Sequence, residues 1–370
     1  MTQTKVEAPF VENNVPFRNK VINGDMEIAQ RSASVTGVGA SSNYWTLDRM
    51  QINVGDASTG RLTMTQTADG PGVFGLTKCL KLACTTADTS IAAGEVLQIQ
   101  HKIEGQFLQD FHKGTSDAKK MTVSFYVKGN ASAKYTLNLY DGDNARMNGQ
   151  TFDVTTSWTR VTLVYDADTT GAFDDDTAAS LQMIFVLHGG TTYSSGTFAE
   201  NTWASYDNGL QIGDSTTSFF DSTDRTFFIT GLQLEVGDQA TDFERLPHDV
   251  QIKRCQRYFY NLSSLGPYVP DSSVAYVGAG FNYTSTYILA MIHLPTNMRT
   301  EPALTTSNES NSFLFYRNGA SDNMDDLTIS ASSSTICATV YNNSDISGTA
   351  GHGGGLVVSA GKILQLSAEL

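Results

Sequence analysis

The sequence predicts an all-β protein of two units: an N-terminal antiparallel β-sandwich and, after a short linking helix, a smaller C-terminal β-sandwich. Three observations carry this expectation. Short runs alternate apolar with polar residues along most of the chain, Asn, Asp, Gly and Ser clusters separate them, and one stretch alone repeats at clear helical spacing. With 370 residues the chain exceeds the usual single domain.

The elements follow in order. Residues 1–16 lack periodicity and hold two prolines, so they read as an extended N-terminal arm. The first sandwich is expected over 17–247. Its strands include MTVSFYV (121–127), with Met121, Val123, Phe125 and Val127 on one face, then YTLNLY (135–140) and RVTLVY (160–165). LQMIFVL (181–187) is apolar on both faces, as a central strand requires, and LQLEV (232–236) turns Leu232, Leu234 and Val236 inward. Asp249–Arg257 reads as the helix of a linker at 248–258, with Pro247 ahead of it and Ile252, Cys255 and Phe259 at i, i+3 and i+7. Strand patterns resume through the C-terminal β domain, 259–370.

Composition narrows the function classes. Hydrophobic residues at 40% supply folded cores, while charged residues at 17% leave a surface of neutral polar groups. A net charge of −14 opposes a nucleic-acid partner, which needs clustered Lys and Arg. From Asp249 onward 6 basic and 9 acidic residues give −3, leaving −11 on the first part. A nearly uncharged C-terminal part suits a subunit interface or a polar adhesive face. The four cysteines form no C-x-x-C pair and no disulfide framework, which fits folding in a reducing cytosol. Neither a signal-peptide pattern nor an apolar run long enough for a bilayer is present, so no membrane insertion is expected.

Enzyme signatures do not emerge. The six His residues form no H-E-x-x-H, no G-x-S-x-G elbow occurs, and GHGGG (351–355) lacks the G-K-[ST] of a phosphate loop. The expectation is a protein without catalysis. Sugar binding has the better physical basis, since saccharide C–H faces stack on aromatics and their hydroxyls pair with amides and carboxylates. Tyr44, Trp45, Trp158, Tyr193, Trp203 and Tyr206 are candidate platforms, the last three in a long polar-aromatic segment, 191–218. Trp45 and Trp158 also read as core residues beside apolar strands.

Five segments resemble one family. The junction ITGLQLEVGDQATDFERLPHDVQIKRCQRYFY (229–260), KVINGDMEIAQRS (20–32), YWTLDRMQI (44–52), MRTEP (298–302) and SAEL (367–370) are similar, in order and spacing, to bacteriophage tail-fibre and other virion surface proteins. The resemblance runs from about residue 17 to the last. It implies a carbohydrate-binding-module-like jelly roll followed by a small β domain, a homotrimer, a place on the virion after synthesis in the host cytoplasm, and contacts with other virion proteins. Adhesion to host surface polysaccharide is the implied role, with Tyr44, Trp158, Tyr193, Trp203 and Tyr206 as glycan contacts. A capsid decoration or fibre-anchoring protein is the alternative, and a polysaccharide depolymerase a weaker one.

Sugar-binding members of that group hold a structural calcium between an acidic residue of the first strand and aspartates of the last. Glu27 matches the first position, but Thr230 and Gly231 stand where the aspartates would fall, a departure that counts against the ion. No other cofactor is expected. The Ile252–Cys255–Phe259 stripe either packs against its own chain or meets its copies at a trimer axis.

Overall fold

The computed structural model describes residues 16–56, 58–263 and 275–370. The expected arm of residues 1–16 lies, but for Pro16, outside the described residues. The chain divides into two compact units, one ending at Leu246 and the other spanning Pro247–Leu370.

Twelve strands build the first unit: β1 (Ser34–Val38), β2 (Gln51–Val54), β3 (Arg61–Thr67), β4 (Cys79–Thr86), β5 (Val96–Glu104), β6 (Met121–Gly129), β7 (Ala133–Asp141), β8 (Arg146–Val154), β9 (Thr159–Tyr165), β10 (Ala179–Gly189), β11 (Ala204–Ser205) and β12 (Thr226–Val236). They form two six-stranded antiparallel sheets, ordered β1-β3-β4-β12-β6-β9 and β11-β8-β7-β10-β5-β2. This is the predicted sandwich. Strict alternation puts Met121, Val123, Phe125 and Val127 of β6 into the core between the sheets, facing Leu137, Leu139, Met183 and Phe185. Phe125 lies edge-on to Phe152 at 5.1 Å and to Phe185 at 5.2 Å, each such pair adding about 0.5–1.5 kcal/mol beyond area burial.

The register of β12 changes once. Phe227 and Ile229 face the core, and so do Leu232 and Leu234, which needs one extra residue between them. The pairing with β6 shifts between Thr230 and Gln233, and Gly231 takes a left-handed φ of 64° in that bulge. Thr230 and Gly231 are therefore bulge residues, placed by the geometry of the last strand. Gln233 and Glu235 point away from the core as predicted, yet both are buried. Glu235 accepts from Thr241 N at 2.9 Å, and Gln233 Oε1 accepts from Glu244 N at 2.8 Å.

Two resemblance segments interlock in this unit. Asn23 Nδ2 donates to Ile28 O and Asp48 O, at 2.8 and 3.0 Å, while Asp48 Oδ1 accepts from Gln30 N at 3.0 Å. A Cβ on Gly24 would meet Leu232 O at 2.1 Å, so only glycine fits that approach. These motifs lock the fold.

The second unit opens with α1 (His248–Gln256), whose N-cap is Pro247. Asp249 in the first turn and Lys253 and Arg254 in the last suit the helix dipole. Its strands are β13 (Phe259–Asn261), β14 (Ala275–Thr284), β15 (Tyr287–His293), β16 (Ala303–Thr306), β17 (Phe313–Arg317), β18 (Ala320–Met324), β19 (Thr328–Ile329), β20 (Cys337–Asn342), β21 (Gly353–Val358) and β22 (Leu364–Ser367). A three-stranded sheet, β13-β22-β16, packs on a seven-stranded one, β18-β17-β21-β14-β15-β20-β19. Leu364 and Leu366 from the smaller sheet share a core with Ile288, Ile292, Phe313, Phe315 and Val340 from the larger. Here too the resemblance segments meet. Arg299 of MRTEP donates to Ala368 O and Glu369 O of the terminal SAEL, both at 2.8 Å.

The stripe on α1 corrects one expectation. Phe259 lies in β13 and not on the helix; Cys255 is fully buried, Phe259 is 3% exposed and Ile252 is half-buried, so these residues are interior to the chain rather than displayed for an oligomer axis. A nine-residue helix has little other apolar surface with which to anchor itself.

Candidate functional site

The second sheet of the first unit carries the candidate site on its outward face. Along β10, Leu181, Met183, Phe185 and Leu187 enter the main core, while Ile184 and Val186 point outward and join Val96 and Ile212 in a separate apolar cluster. Ile212 belongs to the 191–218 segment, which folds over this face. Asn138 Nδ2 donates to Gln211 O and Gly213 N donates to Thr136 Oγ1, both at 2.9 Å. The chain thus covers part of its own sheet and leaves the rest open.

Where the cover ends, the exposed Tyr206 and Asn208 are backed by buried amides. Tyr206 packs on Tyr140 with ring centroids 4.7 Å apart and planes inclined at 57°. Its hydroxyl donates to Asn208 Oδ1 at 2.5 Å and accepts from Gln211 Nε2 at 2.9 Å. Gln211 Oε1 accepts from Gln98 Nε2 at 2.8 Å, and Gln98 Oε1 accepts from both Gln100 Nε2 (2.7 Å) and Asn53 Nδ2 (2.9 Å). One hydrogen-bond chain therefore runs from Asn53 across the sheet to the exposed Tyr206. The buried amides fix one another's orientation, which pre-organises the polar groups at the surface end. Tyr206 is 38% exposed, and desolvation, then its neighbours Tyr140 and Tyr193, push its phenol above the usual range. A neutral phenol with one open ring face and neighbouring amides can stack on a saccharide and pair with its hydroxyls.

The predicted platforms do not form one site. Tyr206 lies at this patch, and Tyr193 packs half-buried against the Val96–Ile184–Val186–Ile212 cluster beneath the same segment. Trp203, one residue before β11, is held by Nε1–H donation to Asp166 O (2.7 Å), with Lys113 Nζ 5.4 Å from its ring. Trp158 belongs to the opposite sheet. It donates to Asp69 O at 3.1 Å, lies edge-on to Phe228 and has Lys128 Nζ 5.1 Å from its ring. Tyr44 is corrected: it is 7% exposed, with the Arg31 and Arg49 guanidinium carbons 5.2 and 6.0 Å from its ring, so it offers no platform. The sequence reading missed Tyr140, Asn53, Gln98, Gln100, Asn208 and Gln211. The signal was present in β5, where Gln98 and Gln100 alternate with Leu97 and Ile99 and so face outward as neutral amides.

Glu27, the implied calcium ligand, has its carboxylate 3.1 Å from Lys78 Nζ and 3.9 Å from Arg245 Nη2. Among the described residues no group of three His, Cys, Asp or Glu gathers to hold a metal. Asp141 and Asp143 cap turns through backbone N–H groups. Asp141 accepts from Asp143 N and Asn144 N, and Asp143 accepts from Asp174 N.

Two polar clusters lie at strand ends of this sheet. Lys113, with its side chain 1% exposed, places Nζ 2.5 Å from Asp141 and 3.1 Å from Asp168, which Arg146 also grips at 2.7 Å. Desolvation raises the Asp168 pKa, but hydrogen bonds from Arg146, Thr170 N and Lys113 outweigh it and hold the group below the usual carboxylate range. At the end of β10, His188 sits between Ser218 Oγ (Nδ1, 2.7 Å) and Glu95 Oε2 (Nε2, 3.4 Å), edge-on to Phe220. Its imidazole is buried and its pKa is lowered by desolvation, against the pull of Glu95. It ties the end of the covering segment to the sheet.

No protein-family model matches the chain, and no curated protein matches it. Similar solved structures include a CBM4 module (14% identity, 58% of this chain and 99% of that one, TM-score 0.31). Others are the enzymatically active domain of tailspike protein 4 from bacteriophage CBA120 (12%, 60% and 22%, 0.30) and the family 11 carbohydrate-binding module from Clostridium thermocellum in complex with a β-1,3-1,4-mixed-linked tetrasaccharide (10%, 60% and 97%, 0.28). At these identities and scores the neighbours add nothing to the reading of the site, which stands on its own geometry.

Proposed function

We propose that this chain is a non-enzymatic bacteriophage virion surface protein that adheres to host surface polysaccharide through the Tyr140–Tyr206 patch of its first unit. The observation that carries the reading is the exposed Tyr206 ring backed by the Asn208–Gln211–Gln98–Asn53 hydrogen-bond chain. The family resemblance of the sequence supplies the virion setting, the homotrimer and the contacts with other virion proteins. Tyr206→Ala removes the stacking face and one hydrogen-bonding hydroxyl. The expected loss is about 1.5–2.5 kcal/mol, or roughly 10- to 70-fold in affinity. Binding of the purified protein to host cells, compared between wild type and this variant, tests the reading. Absence of wild-type binding, or equal binding by the variant, overturns it.

A second reading has its own observation: Ile212 and its neighbours cover much of the sheet face. A sandwich so covered suits a decoration or anchoring protein with no sugar site, held to the particle by residues 1–16. Deleting those residues then releases the protein from virions, and unchanged incorporation refutes that role.

A further inference from the structure

The outward face of the seven-stranded sheet in the second unit takes no part in the site above, yet it is strongly patterned. Strands β14, β15, β20 and β21 contain not one Asp, Glu, Lys or Arg. Their inward residues (Ile288, Ala290, Ile292, Val340 and Leu356 among them) fill the core, so the alternate positions point out. Those positions hold aromatic rings in a row. Phe281 lies 6.5 Å from Tyr283, Tyr283 lies 5.6 Å from Tyr287, and Tyr287 lies 5.5 Å from Tyr341. Beside them Tyr276 and Tyr316 pair at 6.0 Å over the Gly355 backbone. Tyr276 is 69% exposed and Tyr283 60%, unusual for large rings on an otherwise ordinary surface.

A second feature decides what fits there. The hydroxyls of Tyr276, Tyr283, Tyr287, Tyr316 and Tyr341 have no hydrogen-bond partner among the described residues. Closure by a second copy of this face would bring mostly ring, methyl and glycine surface onto them. Each phenol left unpaired in that way costs about 1–3 kcal/mol. A saccharide chain meets both needs, with C–H faces for the rings and hydroxyls for the phenols. The lack of any cation on the strands, within a chain of net charge −14, excludes a good fit to an anionic polymer. We infer that this face is a second carbohydrate-binding surface, specific for a neutral polysaccharide chain laid along the Phe281–Tyr283–Tyr287–Tyr341 row. The surface is independent of the Tyr206 patch.

The test uses the full chain in native gels containing dextran, xylan, galactan or mixed-linkage β-glucan. Three proteins are compared: wild type, the double variant Tyr283→Ala/Tyr287→Ala, and Tyr206→Ala. Both substituted tyrosines of the double variant lie on the outward face near the β14–β15 turn, outside the core cluster. Circular dichroism of the variant serves as the folding check. The expected result is that at least one polymer retards the wild type, and that the double variant loses tenfold or more in affinity while Tyr206→Ala leaves this component in place. Loss with Tyr206→Ala alone overturns the inference and leaves the proposed function standing. Loss with the double variant alone supports the inference and does not touch the Tyr206 patch, which binding to host cells tests. No retardation of the wild type by any of the four polymers overturns the inference. So does a fall in sedimentation mass of the double variant with unchanged retardation, because the face is then a contact between copies.

Discussion

Replacing Lys113 with methionine tests the buried polar cluster at the end of β7. The substitution keeps the aliphatic stem but removes a cation whose side chain is 1% exposed. Asp141, fully buried, then loses its 2.5 Å partner and keeps only Asn144 and two backbone N–H groups, while Asp168 retains Arg146. The carbonyls of Thr170 and Gly171, which Nζ now meets at 2.9 and 2.7 Å, lose their donor as well. Breaking one partner out of a buried pair costs about 3–5 kcal/mol, against a total stability of about 5–15 kcal/mol for a domain. The assay is urea unfolding followed by tryptophan emission. All three tryptophans, Trp45, Trp158 and Trp203, lie in the first unit, and the Trp203 ring is 5.4 Å from Nζ, so the signal reports the right transition. Lys113→Met/Asp141→Asn removes the uncompensated charge and should recover much of the loss. A single-variant loss below about 1 kcal/mol, or a double variant no more stable than the single, refutes the assignment of this cluster as a fully desolvated pair.

Two further outcomes follow from the same structure. His188 is buried neutral with its pKa lowered by desolvation, so the unfolded chain, titrating near its usual value of about 6.5, takes up the proton first. Stability from this group is complete above about pH 6.5 and is lost as pH falls from there toward the lower folded value. The urea midpoint of the first unit should therefore decline between pH 7 and 5, and His188→Gln should flatten that decline; an identical slope in both proteins refutes it. In the second unit, Arg299→Met removes both donors that hold the terminal segment at Ala368 O and Glu369 O. A loss of about 1.5–3 kcal/mol is expected, read as faster amide exchange along β13 and β22, and unchanged exchange there refutes the clamp.

The fold was legible because the strand period is clean. Met121 to Val127 and Leu181 to Leu187 each point where alternation puts them, and the two-faced apolar character of 181–187 identified the strand that β5 and β7 flank. The site was less legible, for reasons that differ by residue. Tyr206 stood out because an aromatic in a polar segment has no strand neighbours to bury it. Tyr44 looked the same in one dimension, but Arg49 of its own segment and Arg31 from another lie over its ring, which is 7% exposed. The amides Gln98 and Gln100 passed as ordinary polar alternation, because nothing local shows that Gln211, more than a hundred residues later, joins them. Ile252 and Cys255 share the helix as read, but Phe259 falls in β13, because a helical period carried past Gln256 does not show where the helix stops.

The resemblance motifs and the candidate site respond to different constraints, and this explains why one was easy to read and the other was not. Asn23, Gly24, Asp48 and Arg299 each satisfy several backbone groups or permit a backbone approach, so a change at any of them leaves buried polar atoms or a clash. Tyr206 and Tyr283 are exposed, 38% and 60%, and lie outside the buried cores. Their information lies in spacing between strands, which a linear string does not display. Segment 191–218 joins the two kinds of constraint. Ile212 and Gln211 O hold it to the sheet as structure requires, and the same geometry fixes where Tyr206 and Asn208 meet solvent. Substitutions at Tyr206 and Asn208 therefore leave the segment seated, because Ile212 holds it to the sheet.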